Sequence, residues 1–201
     1  MVGDLEDEDG LLPGTIVPAN LLPDIGAVAV YFGHLDNLLN RILWALLGLK
    51  AERGRVVTQS INSFASRVEL FRALAIQKHP AHKPRIALIA QHLRFAGDDR
   101  NRLMHDDITQ SQHDTERKDV GSVTAFRGDD AYLFEIKTLR DLQQRLWHLY
   151  DLLTDFGTQK QGWLDAPLPS LDKSPTLLLR RAKEEKPKQD KPQRPRKPSR
   201  R

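Results

Sequence analysis

Four stretches of the chain repeat apolar residues in alternating steps of three and four, and this pattern limits the fold more than any other feature. Residues at this spacing lie on one face of an α-helix, so each stretch has a face that must be buried. The simplest arrangement that buries all four faces is an antiparallel four-helix bundle, which predicts an all-α protein. The positions, one of them polar, are Val28, Phe32, Leu35, Leu39, Ile42 and Leu46; Ile61, Phe64, Val68, Phe71 and Ala75; Ile86, Ile89, Leu93, Ala96, Arg100 and Leu103; and Leu139, Leu142, Leu146, Leu149, Leu153 and Phe156.

The region between the third and fourth helical stretches has a different pattern. Residues 120–126 and 131–136 are rich in residues that favour strands, and they flank a turn-like Arg-Gly-Asp-Asp sequence. We therefore predict a small β-hairpin inserted between helices 3 and 4. A two-stranded hairpin is marginally stable alone, so it must pack on the bundle.

The two ends of the chain differ from the helical region at residues 24–160. Residues 1–23 form an acidic, proline-rich leader. Residues 161–201 predict a disordered tail rich in Pro, Lys and Arg, because this composition has too little apolar surface to offset chain entropy. Residues 177–179, three leucines, are the exception and could dock as one helical turn. Residues 173–201 carry twelve Lys or Arg against three Asp or Glu, so the net charge of +4 originates in the tail. The tail either adds non-specific affinity for RNA or serves as a solubilising tether.

Composition excludes several classes of protein. The chain has no cysteine, which excludes a disulfide framework, a thiolate zinc site and a cysteine nucleophile. Its longest apolar run, residues 42–49, is far shorter than the roughly 20 residues of a membrane span. The acidic N-terminus is the opposite of the basic start of a secretory signal. We expect a cytoplasmic protein with no membrane partner.

Arg100 occupies a position of the third apolar stripe where the pattern predicts leucine. A guanidinium there must be paired or must face a cleft, because an unpaired buried charge is very costly. Asn101 and His105 are four residues apart and lie on one helical face, whereas Arg100 and His105 are ~140° apart around the helix. Arg100 and His105 can thus reach one ligand only near the helix end or across a dimer interface. The simpler interpretation is that Arg100 is salt-bridged inside the bundle and His105 is favoured by the helix dipole.

The sequence Arg100-Asn101-x-x-x-His105 matches the arginine–polar–histidine signature of HEPN (higher eukaryotes and prokaryotes nucleotide-binding) domains, and the chain resembles bacterial members of that family over residues 24–160. The motif ends the third helix of a four-helix pattern, as it does in the family. The other segments that carry the resemblance are YFGHLDNLLN at residues 31–40, SFASRV at residues 63–68 and LFRAL at residues 70–74.

The resemblance implies an all-α bundle that forms a homodimer and, in many members, acts as a metal-independent endoribonuclease without a cofactor. His105 would be the general acid/base for attack of the ribose 2′-hydroxyl on the adjacent phosphodiester. Arg100 would hold the phosphate, and Asn101 would orient His105 or bind substrate. RNA is the implied substrate because its 2′-hydroxyl is the nucleophile. By family alone, the setting would be a toxin–antitoxin or phage-defence system, with an antitoxin or regulatory protein as partner.

Arg102 and His92 are the candidate substrate-binding residues. His92 lies about two turns before the arginine on the adjacent face of the third helix and could line the same cleft. Asp107 marks a departure from the family, because members silenced by a nucleotidyltransferase have a tyrosine there. Regulation by tyrosine modification is therefore not expected. Trp44 and Trp147 fit packing inside the bundle better than stacking on bases.

Two alternatives stay open. A metal-dependent phosphohydrolase would combine His79 or His82 with the His105-Asp106 pair and with Asp129 or Asp130, although the spacing shows no convergence of ligands. A non-catalytic binding or scaffold module would use Arg100 and His105 to stabilise the bundle or to grip a nucleotide.

Overall fold

The computed structural model describes residues 17–105, 107–110, 122–127, 130–158, 162–168 and 176–180. This part of the chain is mostly helical, which confirms the predicted dominance of α-structure. None of its helices combines the length and the apolar composition that crossing a membrane requires. The helices are Leu22–Leu46 (α1), Ala51–Gln59 (α2), Phe64–Lys78 (α3), Lys83–His105 (α4), Ile136–Gly157 (α5) and Gly162–Asp165 (α6), and the strands are Asp107–Gln110 (β1), Ser122–Arg127 (β2), Asp130–Glu135 (β3) and Thr176–Arg180 (β4).

Apart from Ile61, which precedes α3, the residues of the four predicted stripes lie on α1, α3, α4 and α5, and the apolar faces of these helices meet in one hydrophobic core. Helix α1 packs against α3 and α5, and α4 packs against the same two helices. Full burial of each leucine or phenylalanine contributes roughly 1.5–3 kcal/mol, so this core is the main source of stability. Fully buried large side chains are Phe71, Phe134, Leu21, Leu35, Leu39, Leu43, Ile86, Ile89, Leu93, Leu103, Leu139 and Leu142.

The core begins before the predicted domain boundary at residue 24. A short 3₁₀ helix at Ala19–Leu21 precedes α1, and Leu21 is fully buried. Asp24 in the first turn of α1 accepts a hydrogen bond from the Gln143 amide of α5 at 2.8 Å. This contact joins the start of α1 to the middle of α5.

Helix α2 is an element that the apolar pattern did not predict. Helix α1 ends in a Schellman motif, in which Gly48 has φ 66° and the Leu49 N–H donates to Trp44 O at 2.8 Å. The chain then reverses, so that Gly54 of α2 lies under the Trp44 indole, whose Nε1 donates to Thr58 Oγ1 at 3.2 Å. The buried residues of α2 are Gly54 and Thr58, so its sequence has no apolar stripe from which this helix could be predicted.

The strands form one antiparallel sheet in the order β1-β2-β3-β4. Strands β2 and β3 lie at the predicted β-favouring segments, and Arg127 is opposite Asp130 in their register. Ala125 of β2 and Phe134 of β3 are fully buried, and the sheet packs on α4 and α5. The three leucines at 177–179 lie in strand β4, where Leu177 and Leu179 pair with β3 on either side of a register shift, rather than forming the predicted helical turn.

Ordered structure continues beyond the predicted boundary at residue 160. Trp163 of α6 is only 5% exposed and makes an edge contact with Phe156, with 5.1 Å between ring centroids. Arg85 of α4 donates to the carbonyl oxygen of Trp163 at 3.1 Å and also to that of Ala166. At residues 162–168, one buried indole and one arginine hold a proline-containing segment against the helices.

Candidate active site

The C-terminal end of α4 brings the predicted motif residues together. Arg100 is half-buried, and its guanidinium lies over the Phe32 ring of α1 with 5.2 Å between Cζ and the ring centroid. Its Nη1 lies 3.1 Å from Asn101 Oδ1 and 2.8 Å from His105 Nε2. Arg100 and His105 are ~140° apart on an ideal helix. They still meet within one chain, because the helix ends at His105 and the arginine side chain is long.

The partners of Arg100 are neutral groups. None of the ion pairs between residues that the structure describes involves Arg100. The interpretation that Arg100 is salt-bridged inside the helical core therefore finds no support among those residues. A guanidinium that keeps its full charge at a half-buried position is suited to binding an anion such as a phosphodiester.

The contact with Arg100 indicates the tautomer of His105. Arginine has only hydrogen-bond donors, so His105 Nε2 must accept, and the ring proton is placed on Nδ1 by this inference. His105 is exposed, so a substrate can reach its ring. In this tautomer the Nε2 lone pair faces Arg100, so the exposed ring can act as a general base once an anion replaces it as the acceptor of the guanidinium.

Asp99, next to Arg100 in sequence, anchors the same helix end. Its carboxylate accepts from Arg145 Nη1 of α5 at 2.7 Å and from Arg102 Nη1 at 2.8 Å. Burial raises the pKa of Asp99 above its ordinary value of 3.8, and the charges of Arg145 and Arg102 oppose this rise. The Arg102 guanidinium also lies over the Tyr132 ring of β3 at 4.3 Å. These contacts tie the last turn of α4 to both α5 and the sheet.

Asp99 and Arg145 were not among the predicted site residues. Arg145 lies three residues after Leu142 and four before Leu149, within the apolar face of α5, and only 3% of its surface is exposed. Arg145 interrupts the apolar face of α5 in the same way that Arg100 interrupts the apolar stripe of α4, so the same sequence pattern indicates both residues. Arg102 was predicted to bind substrate, but the structure pairs its charge with Asp99.

His92 lies in the core rather than beside the motif. It is 5% exposed, and its Nδ1 has no hydrogen-bond partner among the described residues. Burial lowers the pKa of His92, and the positive charges of Arg145 and Arg85 act in the same direction. Thirteen residues, about 20 Å along the helix axis, separate His92 from His105. The structure therefore does not bring His92 to the His105 ring.

The histidines of the metal-site alternative lie at the opposite end of α4. His79 and His82 connect α3 to α4 and make edge contacts with Trp163. Helix α4 is about 33 Å long, far more than the ~2 Å between a metal and its ligands, so these histidines cannot share a metal with His105. Asp106 and Asp129 lie outside the described residues. Within the described part of the chain, no group of three or more His, Asp or Glu residues could hold a metal ion.

Comparison of the chain with protein-family models, with curated proteins and with solved structures finds no match. The chemistry of the side chains at the end of α4 is therefore the basis for the function proposed below.

Proposed function

We propose that the chain is a metal-independent endoribonuclease of the HEPN type, acting through Arg100, Asn101 and His105. The observation that carries this proposal is the 2.8 Å contact between Arg100 Nη1 and His105 Nε2, made by a guanidinium with no ion-pair partner among the described residues. The accompanying architecture is an antiparallel four-helix bundle of α1, α3, α4 and α5, with β1, β2 and β3 inserted between α4 and α5 and β4 added from the C-terminal part of the chain. A homodimer would place two such sites at a two-fold cleft.

In the proposed reaction, His105 Nε2 removes the proton of a ribose 2′-hydroxyl while its oxygen attacks the adjacent phosphorus. The P–O bond to the 5′-oxygen of the next nucleotide breaks, that oxygen takes up a proton from water, and His105 later returns to solvent the proton that it removed. The products are a 2′,3′-cyclic phosphate and a 5′-hydroxyl end. Arg100 donates to the phosphoryl oxygens and stabilises the extra negative charge of the transition state. Asn101 accepts from Arg100 and holds the guanidinium beside His105.

The test is cleavage of mixed RNA in EDTA by the wild type, His105→Ala and Arg100→Ala. We expect His105→Ala to reduce cleavage by roughly 10²–10⁴-fold and Arg100→Ala by roughly 10²–10³-fold. His34→Ala is the matched control, because His34 is an exposed histidine of α1 outside the cluster. Cleaved RNA should carry 2′,3′-cyclic phosphate ends, and 2′-O-methyl RNA should resist. Loss of activity in EDTA, or equal activity of the wild type and His105→Ala, would contradict the proposal.

A second candidate, the non-catalytic binding module, is favoured by the contact of Arg100 with Phe32 and by its buried Nε. A stabilising cation–π contact of this kind contributes about 0.5–2 kcal/mol. Arg100→Ala would then lower the melting temperature, and none of the proteins would cleave RNA. His105→Ala separates the two candidates, because His105 is exposed and its removal should leave the fold intact under the enzyme proposal.

A further inference from the structure

An exposed cluster of aromatic rings lies on the face shared by α1 and α5. Trp147 is 53% exposed, so the prediction that it packs inside the bundle is wrong. Its indole stacks on Tyr150, with ring centroids 5.6 Å apart and planes 17° apart, and it contacts Tyr31 of α1 at 5.9 Å. Burying half of an indole would be favourable, so its exposure indicates a surface that another group covers.

The rings of Tyr31 and Trp147 form one side of an open groove with a volume of about 450 Å³, here called the aromatic groove. Ring faces favour stacking on flat apolar groups, the glutamine amides and the indole N–H can bind carbonyl oxygens, and one carboxylate can pair with a cation. Proline-rich segments in the polyproline II conformation present this combination, because their carbonyls make no internal hydrogen bonds. The lining residues are Tyr31, Gln143, Gln144, Trp147, His148 and Asp151.

A proline-containing part of this chain already contacts the edge of the aromatic groove. His148 Nε2 lies 2.6 Å from the carbonyl oxygen of Pro167, which can only accept, so the imidazole donates. Arg85 holds the preceding carbonyl, that of Ala166. Residues 166 and 167 therefore lie at the edge of this groove, held through hydrogen bonds to their carbonyl groups.

The sequence farther along has the matching pattern. Pro192, Pro195 and Pro198 follow one another in steps of three, and Arg194, Arg196 and Lys197 lie between them. Polyproline II has three residues per turn, so the three prolines would lie on one face. Strand β4 ends at Arg180, opposite Asp130 of β3, and β3 leads directly into α5. The path from Arg180 to Trp147 is at most about 41 Å when the strand spacing, β3 and the first half of α5 are laid end to end, and twelve extended residues reach up to about 43 Å.

We propose that residues 192–198 of the same chain dock in the aromatic groove as a polyproline II segment, with the prolines stacked on Trp147 and Tyr31. Asp151 at the groove edge would pair with one of the intervening basic side chains. The lining includes a carboxylate and no Lys or Arg, which suits a cationic segment better than a polyanionic RNA. The docking does not depend on the ribonuclease proposal.

Acrylamide quenching of tryptophan fluorescence tests the docking in the full chain. Trp147 dominates quenching, because Trp163 is 5% exposed and Trp44 is half-buried. We expect the triple variant Pro192→Ala, Pro195→Ala, Pro198→Ala to raise the quenching constant roughly twofold, since the stacked face of the indole would be uncovered. Pro187→Ala is the matched control, because Pro187 lies outside the three-residue step, and it should leave quenching unchanged.

A synthetic peptide of residues 187–201 should restore protection of Trp147 in the triple variant. The docking would be overturned if the wild type and the triple variant quenched equally. It would also be overturned if protection of the wild type disappeared on dilution, which would identify a second copy as the occupant. Protection of the triple variant by single-stranded RNA and not by the peptide would assign the groove to nucleic acid instead.

Discussion

Replacement of Asp99 by asparagine should strongly destabilise the fold, because it leaves the Arg145 charge buried without a counter-ion. The side chains of Asp99 and Arg145 are 1% and 2% exposed, and their charged atoms are 2.7 Å apart. Removing one partner of a buried ion pair costs roughly 3–5 kcal/mol. For a chain of about 200 residues, this loss of unfolding free energy corresponds to a fall in melting temperature on the order of 10 °C.

The assay is urea unfolding followed by circular dichroism, with Glu69→Gln as the matched control. Glu69 pairs with Arg72 at 2.8 Å and with Arg94 at 3.1 Å, but all three side chains are more than 40% exposed. The loss of this exposed pairing should cost less than about 1 kcal/mol, because water screens it.

A double-mutant cycle isolates the pair from other effects of the substitution. The cycle combines Asp99→Leu with Arg145→Met. The double variant removes both charges, and it should recover much of the stability lost in Asp99→Leu alone or in Arg145→Met alone. If Asp99→Asn cost no more than Glu69→Gln, Arg145 would have another means of compensating its charge, and the argument for Asp99 as the anchor of the α4 end would fail.

Two further predictions concern glycine packing and the pH dependence of stability. Gly54→Ala should destabilise the protein by roughly 1–3 kcal/mol in urea unfolding, because the new Cβ would overlap the Trp44 indole, whereas Gly33→Ala meets open space and should stabilise α1 by about 0.5–1 kcal/mol. Equal effects of the two substitutions would contradict the packing of α2. The free energy of unfolding should fall as the pH drops below 6.5, because burial lowers the pKa of His92 and of His79 in the folded state, so that the unfolded chain binds protons first. His92→Gln should make this slope shallower when unfolding is measured on either side of pH 6.5, and an unchanged slope would show that His92 does not carry it.

The candidate site was only partly predictable. Arg100 was identified because it interrupts an apolar register, and its neighbours Asn101 and His105 followed from their spacing on one helix. The ion pair of Asp99 with Arg145 joins residues 46 positions apart on two different helices. The spacing of residues along one helix cannot predict such a contact. The sequence did contain one indication of this pair, because Arg145 is a charged residue within the apolar face of α5, as Arg100 is within that of α4.

The sequence by itself determined the helical character of the protein and the four faces that form its core, because periodic burial leaves a periodic pattern. Tertiary structure decided which charges meet, where Trp163 docks beyond the predicted boundary, and that Trp147 faces outward. An apolar residue on a helix indicates that its face is either buried in the core or exposed as a binding surface. Only the arrangement of neighbouring elements determines which of the two it is. The short helix α2 shows the same limit, because its packing rests on a glycine and an indole rather than on an apolar stripe.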